Sequence, residues 1–76
     1  MNVPDLLDEA KARRNLPPCE ERRRIRERCG LSVHRVAAHL GVSDSTVANW
    51  EAGAQSPRPE HVTAYAALLE ELSADD

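Results

Sequence analysis

Three histidines, two cysteines and a scatter of serines, aspartates and glutamates are the side chains of this 76-residue chain that could do chemistry. Their spacing decides which chemistry is open to them. No spacing sets a nucleophile beside a base that is itself oriented, as covalent or acid–base catalysis requires. No glycine-rich phosphate loop is present either, so no enzyme is expected. His34 and His39 lie five residues apart, which at ~100° per residue turns them to different faces of a helix. With no CxxC or HxxxH pair, neither a metal site nor a cofactor is expected. Cys19 and Cys29, if on one helix, are separated by ~15 Å along its axis. A disulfide needs Cα atoms within ~7 Å, so two buried, reduced thiols are expected.

A second kind of chemistry, hydrogen bonding to a partner, depends on what positions the short polar side chains between Ser43 and Arg58. The stretch SVHRVAAHLGVSDSTVANWEAG (32–53) supplies that frame. Counted from Val33, a small residue stands fifth (Ala37), a glycine ninth (Gly41) and a β-branched apolar residue fifteenth (Val47). Two helices crossing through a short turn need these types at these places. Ala37 permits close approach, and Gly41 can take the left-handed conformation that ends a helix. Val36, Leu40, Val42, Val47 and Trp50 form the shared apolar face. The stretch reads as a helix-turn-helix, with Ser32 capping a helix over Val33–Leu40 and Ser43 capping a second over Asp44 to about Ala52.

Residues 18–72 resemble the phage repressor and Cro type of DNA-binding domain, the xenobiotic-response-element family. The residues that carry the resemblance are IRERCGLS (25–32), VAAHLGVSDSTVANWEAG (36–53) and the SPRPE turn (56–60). It implies an all-α fold, lambda-repressor-like, of about five short helices. It also implies that helix 44–52 enters the major groove of double-stranded DNA. There Asp44, Ser45 and Asn49 face outward as base readers: Asn49 toward adenine N6 and N7, Ser45 toward either kind of edge, Asp44 toward cytosine N4. Thr46 is expected on a phosphate, as are Gln55, Ser56 and Arg58 of the following turn. The resemblance further pairs Arg26 with the Glu of Trp-Glu, here Glu51, as an ion pair that positions the reading helix. Val33 departs from the pattern, which usually has a DNA-backbone-touching Gln there; His34 and Arg35 are candidates to replace that contact.

The remaining segments are read from pattern alone. Residues 1–15 are expected to form an N-terminal amphipathic helix, capped by Asn2, with Pro4 and Asp5 in its first turn and Val3, Leu6, Leu7 and Ala10 as one apolar stripe. That stripe either covers the bundle or docks on a partner chain. Leu16-Pro17-Pro18 breaks it, and residues 16–72 form the helix-turn-helix domain. Its first helix runs from near Pro18 to Cys29 with Leu16, Cys19, Ile25 and Cys29 inward. Arg22, Arg23, Arg24, Arg26 and Arg28 are open to two readings, a solvated face paired with glutamates or a set of phosphate contacts. Pro59 starts the last helix, whose Val62, Tyr65, Ala66, Leu69 and Leu72 close the core. Residues 73–76 are expected as a disordered acidic tail. The resembled family has a fifth helix after the last one here, and the N-terminal helix is expected in its place.

The net charge of −3 opposes DNA binding until it is divided along the chain. Residues 1–10 carry −3, residues 11–35 carry +6 and residues 36–76 carry −6. The basic side is local, as a DNA-facing surface requires. No apolar run approaches the ~20 residues of a membrane span, and no signal peptide stands at the start. A cytoplasmic, nucleoid-associated protein is expected. The leading expectation is a compact transcriptional repressor of phage or mobile-element type, binding a palindromic operator as a homodimer, with no small-molecule ligand. The alternative is a protein-interaction module of the same fold with little or no DNA affinity, supported by the net acidity, Val33 and an uncharged reading face.

Overall fold

The computed structural model describes residues 3–74. They form five helices: α1 (Val3–Asn15), α2 (Cys19–Arg28), α3 (Val33–Leu40), α4 (Asp44–Ala52) and α5 (Pro59–Ala74). There is no strand among the described residues, and the fold is all-α. Asn2, expected to cap α1, lies outside the described residues, as do Asp75 and Asp76. Helix α5 continues through Ser73 and Ala74, two residues expected in a disordered tail.

The two central helices start and stop for local reasons. Ser32 Oγ accepts the N–H of Arg35 at 3.1 Å, and Ser43 Oγ accepts that of Thr46 at 3.2 Å. Each satisfies a donor that a helix start leaves unpaired. Gly41 ends α3 at φ 71°, and the N–H of Val42 then returns to the carbonyl of Ala37 at 3.0 Å. A side chain at Gly41 would strain this left-handed turn. At Gly53 the limit is also spatial, since a Cβ there would lie 3.2 Å from Cys19 Sγ.

The core gathers where α2, α3, α4 and α5 meet, with Ile25, Val36, Ala37, Val47, Trp50, Tyr65 and Leu69 buried. Trp50 is its largest side chain. Its ring centroid is 4.7 Å from that of Tyr65 and tilted by 42°, within the range favoured by aromatic pairs. Cys19 and Cys29 are free and only half-buried, where burial was expected. The Cys29 thiol points at the Leu72 carbonyl, 3.6 Å away.

Helix α1 packs on α5, and on no other helix among the described residues. The contact does not centre on Leu6, Leu7 and Ala10 of the stripe expected from the sequence; the side chains of Val3, Pro4 and Asp5 lie outside the described residues. Ala12 is the buried residue, set against Val62 and Ala66 with Leu16 beside them. Small residues on both sides let the helices approach closely. Leu6 and Leu7 remain 49% and 60% exposed, and Ala10 faces solvent. The correction follows from helix geometry: Leu7 and Ala10 lie on the side of α1 opposite Ala12.

Candidate nucleic-acid interface

Helix α4 is held from behind by two arginines of α2. Arg26 Nε and Nη2 donate to the two carboxylate oxygens of Glu51 at 2.6 and 3.0 Å, and Arg26 Nη1 donates to the Leu31 carbonyl at 2.8 Å. The side chains are only 11% and 8% exposed, so this pair fixes α2, the loop before α3 and the end of α4 together. The Glu51 hydrogen bond holds the Arg26 guanidinium protonated above its usual range, opposed in part by desolvation. Arg22 makes the second bracket. Its Nη1 donates to the Trp50 carbonyl at 3.0 Å, its Nε to the Pro17 carbonyl at 2.8 Å, and its guanidinium lies 6.0 Å from the Tyr65 ring centroid.

These contacts divide the arginines that the sequence left open. Arg22 and Arg26 are structural, whereas Arg23 and Arg24 pair with Glu27 and Glu21 on the exposed surface of α2. A cation near the C-terminal carbonyls of α4 also complements the negative end of its dipole. The signal for Arg22 was its place on the same face of α2 as Arg26, four residues away.

With α4 fixed behind, its front is open. Asp44 and Ser45 are exposed in the first turn and Ala48 follows them. Asn49 is half-buried, and its Nδ2 donates a long bond, 3.4 Å, to Gln55 Oε1. Asp44 is engaged as well: both carboxylate oxygens lie 3.0–3.2 Å from Nδ1 of His34. Thr46 Oγ1 shares a 2.8 Å bond with Ser43 Oγ. The front thus offers a hydroxyl, an amide and a carboxylate already faced by an imidazole.

Beside these turns lies an open groove of about 540 Å³ lined by Thr46, Gln55, Ser56 and Arg58, with Trp50, Glu60 and His61 among its other walls. The structure therefore brings together all four residues assigned to DNA backbone from α4 and the turn after it. Buried Pro57 anchors that turn. Arg35 stands apart, exposed on α3 beside a small hollow with Leu31, Val36, His39 and Leu68. His61 was not anticipated; its ring lies 6.0 Å from that of Trp50, one turn into α5, and reaches the groove only through the fold.

A capped helix, a glycine turn and a second helix braced by the rest of the bundle define a helix-turn-helix domain, the class whose general work is DNA binding and regulation. The helix-turn-helix domain family matches residues 23–75, and the chain belongs to it. No curated protein and no solved structure matches the chain significantly. No helix among the described residues is long and apolar enough to cross a membrane.

Proposed function

We propose that this domain is a sequence-specific, double-stranded-DNA-binding transcriptional regulator, a compact repressor resembling the phage or Cro type. Helix α4 enters the major groove, and Ser45, Asn49 and Asp44 meet base edges. The observation that carries the reading is the groove in which Thr46, Gln55, Ser56 and Arg58 converge beside the exposed start of α4. Hydroxyls, an amide and one guanidinium gathered along one side of a protruding helix start suit a phosphate track that runs beside the groove being read. Arg35, on the neighbouring helix, supplies a further backbone contact outside this groove. The protein works as a homodimer on a palindrome, with recognition helices ~34 Å apart, and represses by occluding polymerase at the nucleoid.

A second reading, a protein-interaction module, is favoured by one observation: α4 carries no Lys or Arg anywhere between Asp44 and Ala52. Selection from a random duplex library at two salt concentrations separates the readings. The DNA-binding reading expects an enriched palindrome for the parent, altered or lost in Ser45→Ala/Asn49→Ala, with affinity falling steeply as salt rises. No enrichment at low salt from folded protein would sink it.

A further inference from the structure

The chain leaving α4 folds back on one residue of that helix. Past Gly53, left-handed at φ 77°, the backbone N–H groups of Ala54 and Gln55 both donate to the Asn49 carbonyl, at 3.0 and 3.3 Å. A glycine at a helix end permits this return to carbonyls that the helix leaves open. The closure sets the side chain of Gln55 beside that of Asn49, whose Nδ2 donates to Gln55 Oε1 at 3.4 Å. Gln55 is exposed and lines the groove with Thr46, Ser56 and Arg58. It therefore joins the groove to the front of α4.

We propose that Gln55 is a positioning residue for base recognition, holding the Asn49 amide in the orientation that reads adenine while its own amide nitrogen contacts a phosphate. The inference rests on the DNA-binding reading above and deepens it by naming what fixes the specificity of Asn49. Donors and acceptors allow both tasks at once. A primary amide carries two N–H donors and one carbonyl oxygen. With Oε1 engaged by Asn49, Gln55 keeps both N–H groups of Nε2 for phosphate oxygens. Asn49 gives one N–H to Gln55 and keeps the other, together with Oδ1. Those are the two groups that adenine requires, an N–H for N7 and an oxygen for the N6 amino group.

Turning both amides over would aim the Gln55 carbonyl oxygen at the phosphates, acceptor against acceptor. The polyanion thus favours the orientation already present in the structure. A phosphate contact, which carries no sequence information itself, then locks a base contact that does. The Asn49–Gln55 bond is long, so it orients the amide and adds little to stability.

The test compares Gln55→Lys and Gln55→Glu in the full chain with Asn49→Ala and Asn49→Ala/Gln55→Lys, each verified as folded by circular dichroism. The probes are the operator selected by the parent, that duplex changed at the base pair whose preference Asn49→Ala abolishes, and a scrambled duplex. Gln55→Lys keeps a donor for the phosphate but cannot accept from Asn49. It should bind the scrambled duplex at least as well as the parent, with log affinity against log salt steeper by ~0.9. Its preference for adenine at the Asn49 position should fall about threefold or more. Gln55→Glu keeps the acceptor and sets a negative charge against the phosphate. Its affinity for every duplex should fall while the preference for adenine persists. In the Asn49→Ala background, Gln55→Lys should change base preference no further.

Undiminished adenine preference in Gln55→Lys, equal loss of preference in both Gln55 variants, or Gln55→Glu binding every duplex like the parent would overturn the inference. So would an Asn49→Ala variant that alters no base pair, or a change of preference by Gln55→Lys in its absence. A folded parent that selects no duplex at all is a different result, which would sink the DNA-binding reading and this inference with it.

Discussion

The guanidinium of Arg22 donates to the Trp50 carbonyl at 3.0 Å, across 28 positions of sequence. Trp50 lies in the last turn of α4, where its carbonyl receives from the backbone only a long 3.4 Å bond from the Gly53 N–H. Arg22 therefore works as a side-chain cap on the recognition helix, applied from α2. Because a second nitrogen also bonds the Pro17 carbonyl, the same side chain ties the α1–α2 connection to that helix.

Arg22→Ala should consequently cost stability although it removes an arginine from a surface helix. Two charge-assisted bonds to backbone and the packing over Tyr65 are lost, an effect of about 2–3 kcal/mol. Arg22→Lys should recover only part of this, because one ammonium cannot span both carbonyls as the planar fork does. Urea denaturation of both variants measures the difference; an alanine variant as stable as the parent would show that the bracket is dispensable.

Glu51→Ala should be worse than Glu51→Ala combined with Arg26→Met. Removing only the carboxylate leaves a largely buried guanidinium with Leu31 as its remaining bonded partner, at a cost of about 3–5 kcal/mol. Removing both charges replaces an ion pair by apolar surface, which proteins often tolerate. The comparison requires both single variants and the double variant in one denaturation series. Simple additivity of the two single effects would mean that the pair contributes no coupling.

Much of this frame is legible in the residues themselves, because it rests on local rules. Ser32, Gly41 and Ser43 mark the boundaries of α3 and α4 through caps and a left-handed turn, which depend on one residue and its neighbours. The inward set of α5 follows from spacing alone. The face of α1 was not legible in this way: its apolar stripe was open to burial on the bundle or docking on a partner, and the contact with α5 instead centres on Ala12 against Val62 and Ala66. Long-range polar contacts were the least legible. Arg22 reaching Trp50 and His34 reaching Asp44 depend on how helices pack, and no periodicity encodes them.

Tyr65 should make the fold sensitive to alkali. Burial pushes its phenol up to about 12, opposed by the nearby Arg22 charge, and among the described residues its hydroxyl has no hydrogen-bond partner. An unfolded tyrosine ionises near 10. The folded state therefore retains a proton that the unfolded state releases, and this contribution to stability, intact below pH ~10, declines as pH rises toward ~12. The difference corresponds to roughly 2–3 kcal/mol at the upper end. Tyr65→Phe removes the titrating group and an unpaired buried hydroxyl together. Its stability should match or exceed that of the parent at neutral pH and fall less between pH 10 and 12, as followed by thermal melting; parallel losses in both proteins would remove Tyr65 as the cause.

His34 and Asp44 give the last prediction, which concerns DNA rather than stability. Asp44 stands in the first turn of α4, where a carboxylate suits the helix dipole but faces a polyanion if α4 enters the groove. His34, 3.0 Å from it on α3, orients the carboxylate. The pair is exposed, so its effect on folding should be small, and its effect on binding should be read against salt. His34→Ala should weaken binding to the selected operator by severalfold. Asp44→Asn should raise affinity for unrelated duplexes while relaxing preference at one base pair, worth about 1–3 kcal/mol if Asp44 accepts from cytosine. Titrations of the operator and of a scrambled duplex with both variants decide it. If His34→Ala binds like the parent, the imidazole has no part in recognition.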